Sequence, residues 1–203
     1  MAEVVSAIAG HIASGRHGAP GPVAGIRLGE VTGRDLIQVG AWRETVEAVR
    51  LKLGVEMGAD VAASPRMATV QRDMTVFLVA PEKFWVSAPR ARAIGKRLGG
   101  LFPAVEAVVT ELGHSRTVLS ISGQRCRDLI ARLMAIDTHR SVFPPGSFAS
   151  SGIHGVGCLL HYAADIDGAP EFDLYVPRSF ALSMTEAIAV LAEQWGYEAF
   201  RIR

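Results

Sequence analysis

Two stretches of the chain put an arginine where it could grip an anion. In "FWVSAPRARA", Phe84 is followed five positions later by Pro89-Arg90; in "FDLYVPRSFA", Phe172 is followed at the same distance by Pro177-Arg178. A guanidinium at such a place suits a carboxylate or phosphate, which makes Arg90 and Arg178 candidate contacts for an anionic ligand or a partner carboxylate. The prolines have a structural explanation of their own. A fixed φ and a missing N–H suit the first turn of a helix, and both pairs fall where a strand-like run passes into a helix-like one.

The other reactive side chains form no catalytic set. Asp165, Asp167, Glu171 and Asp173 crowd into "ADIDGAPEFD", but Asp-Gly and Ala-Pro are turn chemistry, and the spacing does not match a calcium loop. The six histidines include no HxH or HExxH pair that would set two ligands on one face. His154 and His161 are seven apart, so strict alternation along a strand sends them to opposite faces. Cys126 and Cys158 lie in apolar settings, "RCRDLI" and "GCLLHY", as small buried hydrophobes do. The glycines of "GIHGVG" precede a strand and lack the spacing of a phosphate loop. No GxSxG elbow and no catalytic-cysteine signature is present. No catalytic residue and no metal ligand is therefore assigned.

The elements that must position these residues read as a repeated pattern. "GIRLGEVTGRDLIQVGA" is two short strands about Thr32-Gly33. "RETVEAVRLKLG" sets Val46, Val49 and Leu53 on one helical stripe closed by Gly54. "TVFLVA" and "KFWVS" are a strand pair joined by Pro81-Glu82, and "APRARAIGKRL" is a helix. The order then restarts. "VEAVVTELGHSRTVLSISG" is two strands, ending in Gly123 where the first half has Gly40. "QRCRDLIARLM" is a helix with Cys126, Leu129, Ile130 and Leu133 on one face. "GVGCLLHYAAD" and "EFDLYVP" are strands, and the closing helix turns Met184, Ile188, Leu191 and Trp195 inward. This predicts an α+β fold made of a duplicated ββαββα unit. The halves, about 26–102 and 103–203, are expected to share one core as a single domain. Residues 1–25 are expected to be an arm and a Gly/Pro-rich linker. Val4, Val5, Ile8 and Ile12 make one helical stripe in that arm, fit for docking on a partner protein.

Bulk composition narrows the class. The 203 residues carry 21 Lys+Arg against 20 Asp+Glu, which gives no electrostatic case for nucleic acid or an acidic membrane. The N-terminus lacks the charged and apolar regions of a signal peptide, and no apolar run is long enough to span a bilayer. A cytoplasmic protein is expected.

Longer stretches resemble a known family. "GHSRTVLSISGQRCRDLIARLMAIDTH" is similar to the folate-binding-domain segment of the aminomethyltransferase (T-protein) of glycine cleavage. "FPPGSFASSGIHGVGCLLHY" and "FDLYVPRSFALSMTEAI", with the opening "SAIAGH" and "GIRLGEV", more closely resemble the gamma subunits of heterotetrameric sarcosine oxidases. The resemblance is most specific from Ser115 to Ile188. It implies an aminomethyltransferase folate-binding-domain-like fold in a complex that demethylates sarcosine to glycine, with hydrogen peroxide and, when tetrahydrofolate is present, methylenetetrahydrofolate as products. FAD, FMN and NAD are then expected on the alpha and beta subunits and a zinc ion on delta. This chain is expected to be a non-catalytic gamma subunit holding no cofactor, with alpha, beta and delta as partners. The other reading is a stand-alone tetrahydrofolate-binding or aminomethyltransferase-like protein, with Arg178 and Arg90 gripping the glutamate tail.

Overall fold

The computed structural model describes residues 6–11 and 13–201. In chain order the elements are β1 (Gly15–His17), β2 (Ile26–Val31), β3 (Arg34–Ala41), α1 (Val46–Met57), β4 (Thr69–Gln71), β5 (Met74–Ala80), β6 (Lys83–Pro89) and α2 (Ile94–Leu101). The pattern then repeats as β7 (Ala107–Glu111), β8 (Arg116–Ser122), α3 (Cys126–Leu133), β9 (Phe148–Ile153), β10 (Val156–Ile166), β11 (Ala169–Pro177) and α4 (Ala181–Ala192), before a last strand, β12 (Tyr197–Arg201). The fold is α+β and duplicated. Each repeat has one strand more than expected, because β4 and β9 follow the first helix of their repeats.

The strands form two sheets, in the orders β1-β12-β2-β8-β11-β10-β9 and β4-β5-β6-β3-β7. The opening strand of each repeat is exchanged. β2 pairs with β8 of the second repeat, and β7 pairs with β3 of the first. Thr32-Gly33 therefore joins two sheets and is not the tip of a hairpin. As a result, the compact units do not follow the sequence halves at 102/103. One unit comprises the chain up to Thr32, Ser115–Pro145 and Ala149 onward; the other comprises Gly33–His114 and Gly146–Phe148.

Each unit has its own buried cluster. In the first, Tyr162, Phe172, Ile121, Leu28 and Ala199 form one row across five neighbouring strands. They pack with Leu129 and Ile130 of α3 and Met184 and Ile188 of α4. In the second, Val39, Val76, Phe84 and Val86 pack with Val49 and Leu53 of α1 and Ile94 and Leu98 of α2. Phe84 and Phe172, the repeated phenylalanines, are both wholly buried. A buried side chain of this size stabilises by about 1.5–3 kcal/mol, which explains why both repeats carry one.

Several local expectations change. α1 is not closed by Gly54 but runs to Met57 and ends at Gly58, whose left-handed φ of 74° lets its N–H reach Gly54 and Val55. Gly54 serves a close approach instead: a Cβ there would lie 3.0 Å from the Ala59 carbonyl oxygen. α4 stops at Ala192, and Trp195 lies in the following 3₁₀ turn. The linker is partly strand, since β1 pairs with β12 and His17 stacks on Tyr197 with ring centroids 5.0 Å apart. In the arm, Val4, Val5 and Ile12 lie outside the described residues. Ile8 packs against this chain's own first cluster.

Candidate functional site

The two Pro-Arg pairs are equivalent joints. Pro89 and Pro177 end β6 and β11 with φ of −53° and −58°, each followed by a 3₁₀ turn that leads into a helix. The N–H of Arg90 donates to the Gly33 carbonyl at 2.8 Å, and that of Arg178 to the Ser115 carbonyl at 3.0 Å. Gly33 and Ser115 immediately precede β3 and β8, so each joint pins the start of the strand beside it. The Arg90 guanidinium donates to Asp35 of β3 at 3.2 Å, which already supplies it with a carboxylate. Arg178 is half-buried in the other unit.

A polar row that sequence reasoning missed crosses the seven-stranded sheet on the face opposite the helices. His161 of β10 stands opposite Asp173 of β11, which stands opposite Ser120 of β8. Glu171, two residues from Asp173, shares that face. The His161 Nδ1 lies 3.9 Å from the Asp173 carboxylate, and the Ser120 hydroxyl donates to Glu171 at 2.9 Å. His161 and Ser120 are buried, at 3% and 0% exposure.

A β-bulge produces this alignment. Counted back from the Asp167-Gly168 turn, a regular hairpin sets His161 against Leu174. The register instead shifts between Tyr162 and Ala164. That extra residue pairs Tyr162 with Phe172 on the core face, ring centroids 4.9 Å apart, and leaves His161 facing Asp173. The signal was present in the sequence as two carboxylates spaced by two in β11. They read as turn residues because the bulge hides their partner. Asp165 and Asp167 do sit at the turn. The Tyr162 hydroxyl donates to Asp165, which also pairs with Arg140 at 2.9 Å; burial first, and then this bond, raises the Tyr162 pKa.

The row is not arranged for nucleophilic attack. Activating a serine requires its base beside the hydroxyl and an acid behind the base. Here Asp173 stands between His161 and Ser120, and the serine proton is directed to Glu171. The thiols are also inert: burial pushes Cys126 up to about 12 and Cys158 up to about 11. Among the described residues no group of three or more His, Cys, Asp or Glu could hold a metal ion. No helix among them is long and apolar enough to cross a membrane.

One cavity lies in the same unit, beside the N-terminal arm. It measures about 200 Å³ and is lined by Ile8, Leu28, Glu30, Thr185 and Phe200, among others. Glu30 is 6% exposed. Its carboxylate accepts from the Ser6 hydroxyl and from the Ala7 N–H at 3.3 Å. The arm thus lines one side of the cavity and is tied to it through a buried acceptor.

No protein-family model matches the chain, and no curated protein matches it in sequence. Solved structures do match in fold. A chain of the heterotetrameric sarcosine oxidase from Corynebacterium sp. U-96, solved with pyrrole 2-carboxylate, superposes with a TM-score of 0.75 at 16% identity, covering 88% of each chain. The glycine cleavage system aminomethyltransferase T from Bartonella henselae gives 0.62 at 16% identity, covering 87% of this chain and 48% of that one. The fold is the type shared by these two proteins.

Proposed function

We propose that the chain is the gamma-type subunit of a heterotetrameric sarcosine oxidase-type complex. In this reading it is a structural subunit that supports oxidative demethylation of sarcosine to glycine on its partners. The observation that carries the proposal is the extent of the likeness: the oxidase chain is covered over 88% of its length, the aminomethyltransferase over 48%. FAD, FMN, NAD and tetrahydrofolate then belong to the alpha and beta subunits, and delta completes the assembly in the cytoplasm. Co-expression with candidate alpha and beta chains, followed by size exclusion, tests this. Co-elution is expected; separate elution at micromolar concentration refutes it.

A second reading, a stand-alone tetrahydrofolate-binding or aminomethyltransferase-like protein, is favoured by the polar row. Asp173 and Glu171 beside the buried His161 are acceptors suited to the N–H-bearing edge of a pterin. In that reading Arg178 is a proposed contact for the glutamate tail, and Arg90 becomes one only by leaving Asp35. Calorimetry with tetrahydrofolate separates the two readings, since no heat of binding near millimolar ligand eliminates the second.

A further inference from the structure

The helix α1 is apolar on two faces. Val49, Leu53 and Met57 are buried in its own unit. Ala48, Leu51 and Val55 face outward, with Leu51 54% and Val55 85% exposed. A helix at a protein surface needs one apolar stripe, and a helix apolar on both sides is normally covered on both. The outer stripe is extended by neighbours held to the helix. The Thr45 hydroxyl donates to the Glu106 carbonyl at 2.6 Å, and Trp42 donates its indole N–H to the Ala104 carbonyl at 3.1 Å. These bonds bring the exposed Trp42 and Val105 alongside. On the other flank, Arg50 donates to the Val61 carbonyl at 2.6 Å. A groove of about 490 Å³ runs there between Leu51, Val55 and Ala59.

The charges of α1 itself are paired within the chain, and the one further charged residue lining the groove, Asp60, interacts with Arg50. α1 carries four charged residues, and each has a partner within the chain. Glu47 pairs with Arg50, Lys52 with Glu106 and Glu56 with Arg97, all at 2.5 Å. A partner with a charged surface gains nothing here, whereas an uncharged apolar one meets an apolar centre with a satisfied rim, as at the core of a stable interface. We propose that the outer face of α1, centred on Leu51 and Val55, is where this chain docks an uncharged apolar segment of a large subunit. The inference rests on the subunit reading above and adds the face that reading leaves open.

The test co-expresses the alpha and beta chains with wild type and with the Leu51→Glu/Val55→Glu double variant, and compares co-elution and affinity. Both sites are exposed, so the variant keeps the wild-type melting temperature; should it fail to fold, Leu51→Ala/Val55→Ala carries the same test. The expected result is that wild type co-elutes while the glutamate pair binds at least ~100-fold more weakly, because two charges enter an apolar contact. Equal co-elution of both overturns this face and leaves the assembly reading standing. Failure of the wild type to bind overturns both. Sedimentation of the isolated chain supplies the last outcome: a wild-type dimer that the glutamate pair makes monomeric assigns the face to a second copy and overturns the proposal.

Discussion

Gly40 is the last residue but one of β3 and Gly123 follows the end of β8, the corresponding strand of the other repeat, yet the two should respond very differently to the same substitution. Gly123 has φ of +116°, outside the range side-chain-bearing residues adopt readily. A Cβ built there falls 2.5 Å from the Gly25 carbonyl oxygen and 3.2 Å from the Ile26 Cα. That carbonyl cannot move freely. It accepts from the Arg125 N–H at 3.1 Å, while the Gly25 N–H donates to Gly196 at 3.0 Å. Relieving the clash therefore loosens the junction of α3 with β2. Backbone strain of about 1–3 kcal/mol and overpacking of about 1–3 kcal/mol place the Gly123→Ala cost near 4 kcal/mol. At about 2–4 °C per kcal/mol for a chain of this size, thermal unfolding monitored by circular dichroism should show a fall of about 8–16 °C. At Gly40 the nearest atom to a Cβ is the Val108 oxygen, at an ordinary 3.9 Å. Gly40→Ala should stay within about 0.5 kcal/mol of wild type. A Gly123→Ala protein melting within about 2 °C of wild type refutes the reasoning.

The buried thiols predict a pH dependence. Native Cys126 and Cys158 stay protonated to about 12 and about 11, whereas unfolded cysteine ionises from about 8.5. The unfolded chain thus holds fewer protons in this window, and the contribution of the thiols to stability, complete below about pH 8.5, is lost as pH rises toward their native values. Urea unfolding from pH 8 to 10 should show the decline, with a shallower slope for Cys126→Ala; a thiol reagent at pH 8 should label neither cysteine until the protein unfolds. The bulge predicts an asymmetry between deletions. Removing Ala163, the residue left unpaired between Tyr162 and Ala164, keeps Tyr162 on the core face and should cost about 1 kcal/mol or less by chemical denaturation. Removing Leu160 turns the preceding residues of β10 over and should abolish the cooperative transition.

The local chemistry of the repeat was legible in the sequence, because a buried phenylalanine, a helix-starting proline and an amphipathic helix each leave a nearby mark. Phe84 and Phe172 with their Pro-Arg pairs were visible for that reason, as was the buried face of α3. The partnership of strands was not. Thr32-Gly33 has the composition of a hairpin turn whether the flanking strands pair with each other or part into two sheets. β12 alternates for only three residues, Tyr197 and Ala199 inward and Glu198 outward, before an apolar side chain, Phe200, takes the outer face under Arg27, so too short a run marks it. The polar row was hidden because one unpaired residue shifts the pairing and changes which side chains meet. The outer stripe of α1 was overlooked because a single inward stripe already explained the helix.

The position of β12 bears on how the protein can be made. It is the last strand of the chain, yet it lies between β1 and β2, the first two. Ile26 pairs with Tyr197 and Gly15 with Ala199, so β1 has no neighbour in its sheet until β12 has been synthesised. On a ribosome the five-stranded sheet, complete once β7 has emerged, can form early. The seven-stranded sheet must wait with one margin of β2 open, a template for the wrong strand. A truncation that removes Tyr197–Arg201 therefore takes away the strand on which β1 pairs and uncovers one side of β2.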